Sequence, residues 1–143
     1  MTLTAAIDGL LAVEQTITPA GYTLEVYRWW EPHLQPPCLW NELPGGSRTE
    51  RRDQCRVEDL LRIDVVMVGP PSPDHGREML GLEDCADQAI AALDQALAQP
   101  SPLAGRVASG RRLGLSTGSE RLGAETYLSF RIPLELRVVR TYP

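Results

Sequence analysis

Near the C-terminal end, Leu128, Phe130, Ile132, Leu134, Leu136 and Val138 are apolar, with Ser129, Arg131, Pro133, Glu135 and Arg137 between them. A period of two sustained this far predicts one long strand, with one face on a core and the other toward water or a partner. A strand of about 13 residues is twice the usual length. A domain of this size does not need such a strand to fold, so the surplus is expected to serve a contact outside the subunit. Pro133 has no ladder donor, which predicts a bend, a bulge or an edge position there. The polar face of Arg131, Glu135 and Arg137 is the expected contact surface.

The chain has 143 residues, the size of one domain, and can bury a core without disulfides or metals. A net charge of −5 argues against wrapping nucleic acid by counterion release. All 14 basic residues are Arg, which favours planar, bidentate contacts and is enriched at interfaces. Cys38, Cys55 and Cys85 are widely spaced and odd in number, so they read as thiols in a reducing compartment. The N-terminal stretch MTLTAAIDGLLAVEQTI lacks a basic region and carries Asp8 and Glu14. It is expected to be neither a signal peptide nor a membrane span, so the chain reads as soluble and intracellularly made.

Leu3, Ile7, Leu10, Leu11 and Ile17 recur at helical spacing and predict a helix over 3–17, ended by Thr18, Pro19 and Gly21. Tyr22 to Trp30 reads as a strand. Pro32, Pro36, Pro37 and Pro44 exclude a central strand across the next passage, leaving at most a short edge strand over Cys38 to Leu43. The stretch GGSRTERRDQCR over 45–56 is the most polar and predicts an exposed, mobile loop. Leu61, Ile63, Val65 and Met67 alternate into a strand whose second half is apolar on both faces, hence central. Gly69 to Gly76 is a proline-rich loop. Leu82, Ala86, Ile90, Leu93 and Leu97 predict an amphipathic helix over 77–98, stopped by Pro100 and Pro102. A weaker strand over 105–116 and a turn over Thr117 to Gly123 lead into the terminal strand.

The expected fold is a single α+β domain over 1–143: a mixed, mostly antiparallel four- to five-stranded sheet with two helices packed on one face. The other face is left partly open, and it and the sheet edges need a partner or a device to blunt them.

No constellation carries chemistry. GLSTG, 114–118, matches the nucleophile elbow, but a turn and strand follow Ser116 where the elbow needs a helix. Both histidines, His33 and His75, precede it, and a hairpin turn explains the glycines. His33, Cys38, Cys55, His75 and Cys85 are too scattered for structural zinc, and nothing marks an activating partner for a nucleophilic thiol. Asp74–His75 reads as a solvated turn, and Gly45–Gly46 lacks the lysine and helix of a phosphate loop. No catalytic residue, cofactor or metal is expected. Trp29, Trp30 and Trp40 flank the proline-rich passage and read either as a local mini-core or as an intersubunit anchor. Arg48, Arg51 and Arg52 read as a solvated face or as an electrostatic contact with a neighbour, since Glu50 and Asp53 interrupt any phosphate-binding run.

The succession TAAIDGLLAVEQTI, GYTLEVYRWW, PPCLWNELPGG, LLRIDVVMVG, EDCADQAIAALDQALA and YLSFRIPLELRVV resembles the tail terminator and tail-completion proteins of long-tailed bacteriophages. The likeness is a pattern of elements over most of the chain, with no diagnostic motif and no catalytic residues. It implies a small virion subunit, made in the host cytoplasm, that closes into a homo-oligomeric ring, typically of six. Such a ring caps the tail tube, stops its polymerisation and joins the tube protein to the head-tail connector. DNA passes through its channel without specific binding, and no membrane is involved. The same pattern also fits a neighbouring connector component. A homodimeric intracellular binding domain, or a small enzyme with an unseen site, are the rival classes.

Overall fold

The computed structural model describes residues 1–19, 23–44, 47–53, 55–69 and 75–141. In chain order the elements are α1 (Leu3–Glu14), β1 (Glu25–Trp29), β2 (Cys38–Glu42), β3 (Ser47–Arg52), β4 (Arg56–Val68), α2 (His75–Leu97), a short turn Pro102–Gly105, β5 (Ser109–Arg112), β6 (Ser116–Leu122) and β7 (Glu125–Thr141). The fold is α+β, with a mixed sheet of seven strands rather than four or five.

The sheet is built on two long strands. β7 has 17 residues and β4 has 13, and they pair antiparallel from Arg56↔Thr141 to Val68↔Ser129. Each is too long for one further neighbour, so each outer edge takes two. β2 pairs β4 over 64–68 and β3 pairs it over 57–61. β6 pairs β7 over 125–131 and β5 pairs it over 134–137. β1 lies parallel to β2 and ends the sheet on that side. The length of β7 is therefore used within the subunit, as a ladder for three neighbours.

Four expectations change. Residues 47–52, expected as loop, form β3, because the N-terminal half of β4 has an open edge and backbone pairing needs no apolar side chains. Asp53 closes the return: its N–H donates to Arg56 O, and its Oδ1 accepts from the N–H groups of Cys55 and Arg56. β2, expected at an edge, lies between β1 and β4. Residues 116–122, expected as a turn, form β6, joined to β7 through Gly123–Ala124. Pro133 sits inside β7 in unbroken register opposite Asp64. Its carbonyl accepts from Leu113 N–H at 2.8 Å, so its absent N–H faces the break between β5 and β6, where no ladder acceptor is required.

The helices cover one face. Thr2 Oγ1 caps α1 by accepting from Ala5 N–H, and Ala6, Ile7 and Leu10 are buried. The helix ends at Glu14, three residues before the expected 17. From α2, Leu82, Cys85, Ala86, Ala89, Leu93 and Leu97 are buried. They meet Leu61, Ile63, Val65 and Met67 of β4 and Phe130, Ile132, Leu134, Leu136 and Val138 of β7 in one cluster. The apolar face read from the terminal alternation is thus the core face. A Cβ on Gly110 of β5 would lie 2.7 Å from Leu97 Cδ2 and 2.8 Å from Leu136 Cδ2, so this edge strand reaches the helix only as glycine. Among the described residues no helix is long and apolar enough to cross a membrane.

Candidate interaction surface

The opposite face of the sheet divides in two. At the β2 end, Leu34, Cys38, Trp40, Val66 and Val68 form a second small cluster, with Tyr27, Leu122 and Tyr127 against it. The 31–37 segment folds over this end, and Gln35 N–H donates to the Tyr27 hydroxyl at 3.2 Å. Trp40 is fully buried here and donates through Nε1 to Glu42 Oε1 at 3.0 Å. The three tryptophans therefore separate: Trp40 is a core residue with no surface to offer a neighbour. Trp29 and Trp30, at the end of edge strand β1, are 37% and 54% exposed.

The rest of this face is an uncovered ladder of arginines and carboxylates. Arg131 sits between three acids: its guanidinium donates to Glu42 Oε2 at 2.6 Å, Asp64 Oδ2 at 3.3 Å and Glu120 Oε1 at 2.8 Å. Burial alone would raise the Glu42 carboxyl, but the bonds from Arg131 and Trp40 hold it below the usual carboxylate range. The Arg131 guanidinium is correspondingly held more firmly protonated, chiefly by its bond to Glu42. Glu135 lies opposite both Arg62 of β4 and Arg111 of β5, and pairs with Arg111 at 3.1 Å. Arg137 reaches Glu58 at 3.5 Å. Arg131, Glu135 and Arg137 do line the face away from the helices, as the alternation implies, but they are half-buried and already engaged within the subunit. Arg48 and Arg52 are exposed on β3. Arg51 pairs by backbone with Glu58, and its side chain lies outside the described residues.

The other candidates are dispersed. Ser116 opens β6 and is followed by a strand. Cys38 and Cys85 are buried and Cys55 is exposed. Burial, aided by the nearby Glu25 charge, pushes the Cys38 thiol up to about 12, so it holds its proton at neutral pH. Asp74 and Gly45–Gly46 lie outside the described residues, as does the side chain of His75. Among the described residues no group of three or more His, Cys, Asp or Glu could hold a metal ion.

Two features escape sequence reading. One is a buried pair, Glu14 and Asn41, joined by Asn41 Nδ2 donating to Glu14 Oε1 at 2.7 Å. Glu14 sits at i+4 from Leu10, on the buried stripe, and that polar residue on an apolar face was its only signal. The other is a cleft on the outer side of the helix layer, between α1 and α2. Its signal was the small residues Gly9, Ala12, Ala92 and Ala96 at helical spacing.

The chain matches no protein-family model and no curated protein.

Proposed function

We propose that this chain is a structural ring subunit of a long-tailed bacteriophage, which caps the tail tube, ends its polymerisation and joins it to the head connector. The reading rests on the resemblance in element order and on one structural observation, the division of the surface. One sheet face is sealed by helices, and the other carries the Trp40 cluster at its β2 end and the charged ladder over the rest. Laterally, β1 with Trp29 and Trp30 ends the sheet on one side, and β5 and β6 end it on the other. A ring needs two different lateral surfaces on every subunit, and these are two different surfaces. Exposed tryptophan is the residue type that anchors interfaces.

The charged ladder is compatible with a channel for DNA. Arg131 is neutralised by Glu42, Asp64 and Glu120, and Arg111 by Glu135, so these cations are not offered to passing phosphates. The fully assembled subunit is a component of the virion neck, made in the host cytoplasm, with the tube protein and the connector as its partners.

Electron microscopy of the purified protein, alone and mixed with tail tubes, tests the reading. Six-fold rings of tube diameter, free or seated on tube ends, are the expected result. A fixed dimer that ignores tube ends would overturn it in favour of a homodimeric binding domain.

A further inference from the structure

The cleft between α1 and α2 has a volume of about 470 Å³. Its apolar walls are Ala12 and Val13 from α1, Ala92 and Ala96 from α2, and Leu103 from the following turn, with Thr16, Gln95 and Gln99 also on its lining. It is open because Ala12, Ala92 and Ala96 are small where two packed helices usually present larger side chains. Its end wall is fixed closely. Leu103 and Ala104 take left-handed backbone conformations (φ 50° and 57°), which fold the turn back onto α1. Gly9 permits the approach, since a Cβ there would stand 3.1 Å from Leu103 Cβ and 3.0 Å from Arg106 Cδ. The Arg106 stem thus lies along α1 at the cleft, and its exposed guanidinium has no ion-pair partner among the described residues.

The molecule also carries a projection of matching chemistry. Trp30, beyond the end of β1, is the most exposed of the large apolar side chains among the described residues. Glu31 follows it directly, is exposed, and likewise has no ion-pair partner among the described residues. An indole next to a carboxylate faces the solvent on one part of the surface; an apolar cleft next to a guanidinium faces it on another. Burying a tryptophan removes roughly 150–250 Å² from water, and a cleft of this volume is large enough to take the ring. Neither Trp30 nor Glu31 lines the cleft of its own copy, and Arg28 of β1 is tied instead to Asp8 of α1.

We propose that the cleft receives the Trp30–Glu31 corner of a second copy of this chain, with the indole between α1 and α2 and the Glu31 carboxylate on the Arg106 guanidinium. The proposal rests on the ring-subunit reading and gives it a specific contact. A contact between two different surfaces either runs head to tail around a ring or closes reciprocally as a two-fold dimer.

A charge swap read by sedimentation velocity over a wide concentration range tests the contact. Glu31→Arg and Arg106→Glu, taken singly, should each weaken self-association by at least about tenfold, through like charges at the contact. The double variant Glu31→Arg/Arg106→Glu should recover most of the loss. Ala12→Phe, which fills the cleft from an exposed helix position, should abolish association while the circular dichroism spectrum stays that of the wild type. Association that ignores all four variants overturns this contact and leaves the ring reading standing. Charge-swap rescue in a particle that never exceeds a dimer keeps the contact and overturns the ring. A wild-type chain that stays monomeric at its solubility limit, yet takes up an apolar dye that Ala12→Phe excludes, overturns the contact in favour of a small apolar ligand.

Discussion

Asn41 Nδ2 donates to Glu14 Oε1 at 2.7 Å, and both side chains are sealed from water between α1 and β2. Glu14 Oε2 and Asn41 Oδ1 have no hydrogen-bond partner among the described residues. A neutral carboxyl resolves both vacancies in kind: it carries a proton to donate, and the amide oxygen can accept one. Burial pushes the Glu14 pKa up to about 8, against the opposing pull of the Asn41 bond. The folded state therefore binds a proton that the unfolded chain, near 4.5, gives up. Stability from this group is complete below pH 4.5 and is lost as pH rises through 8, at up to about 1.4 kcal/mol per pH unit. Glu14→Gln keeps the shape and supplies a permanent donor. It should flatten the pH dependence between pH 5 and 9 and be more stable than the wild type at pH 9. Urea midpoints at the two pH values decide it: parallel losses in both proteins would place the carboxyl's titration elsewhere.

Among the described residues, Arg131 is the cation that pairs with Glu42, Asp64 and Glu120. Its replacement by Met leaves three half-buried carboxylates facing each other. At pH 7 the expected loss is about 1–3 kcal/mol, the usual cost of stranding buried polar groups. The depressed Glu42 pKa fixes the sign of the pH effect: its stabilisation is present above the unfolded carboxylate range and lost as pH falls through the folded value. The gap between wild type and Arg131→Met should therefore narrow toward acid. Thermal melts at neutral and acid pH that keep a constant gap would remove the network from the stability of the sheet.

The core face was legible because burial on one side forces a strict period of two, and Leu128 to Val138 keep it without exception. The two helices were legible for the matching reason at period 3.6. What stayed hidden was edge structure. Ser47–Arg52 and Ser116–Leu122 pair through their backbones, and their side chains carry no apolar alternation to announce it. Pro133 predicts a bend, a bulge or an edge because sequence shows the missing donor and cannot show which way it points. The tryptophans of the candidate surface illustrate the same limit. Trp29, Trp30 and Trp40 are alike in composition and neighbourhood, and only the tertiary fold sorts one of them into a core.

Leu134 tests that core face directly. It is fully buried at the middle of β7, opposite Ile63 and packed under the helices. Leu134→Asp places a charge there with no partner, a cost that exceeds the stability of most domains of this size. The variant should fail to give a cooperative melt, whereas Leu134→Ala should fold with a loss of about 2–5 kcal/mol. Calorimetry showing Leu134→Asp with an unchanged transition would refute the assigned inner face.

Trp30 and Trp40 differ in what their truncation should do. Trp40 is fully buried and holds the second cluster over Val66 and Val68, so Trp40→Ala should cost about 3–5 kcal/mol and act on folding. Trp30 is more than half exposed and belongs to neither core cluster, so Trp30→Ala should stay within about 0.5 kcal/mol of the wild type. If the exposed indole is an interface anchor, the loss appears instead in assembly: fewer rings, fewer capped tubes and tails that fail to join heads. The pair is informative because the residue type is the same and only the position changes. A folded Trp30→Ala protein that gives normal tail length and normal head joining would exclude the tryptophan corner from the interface.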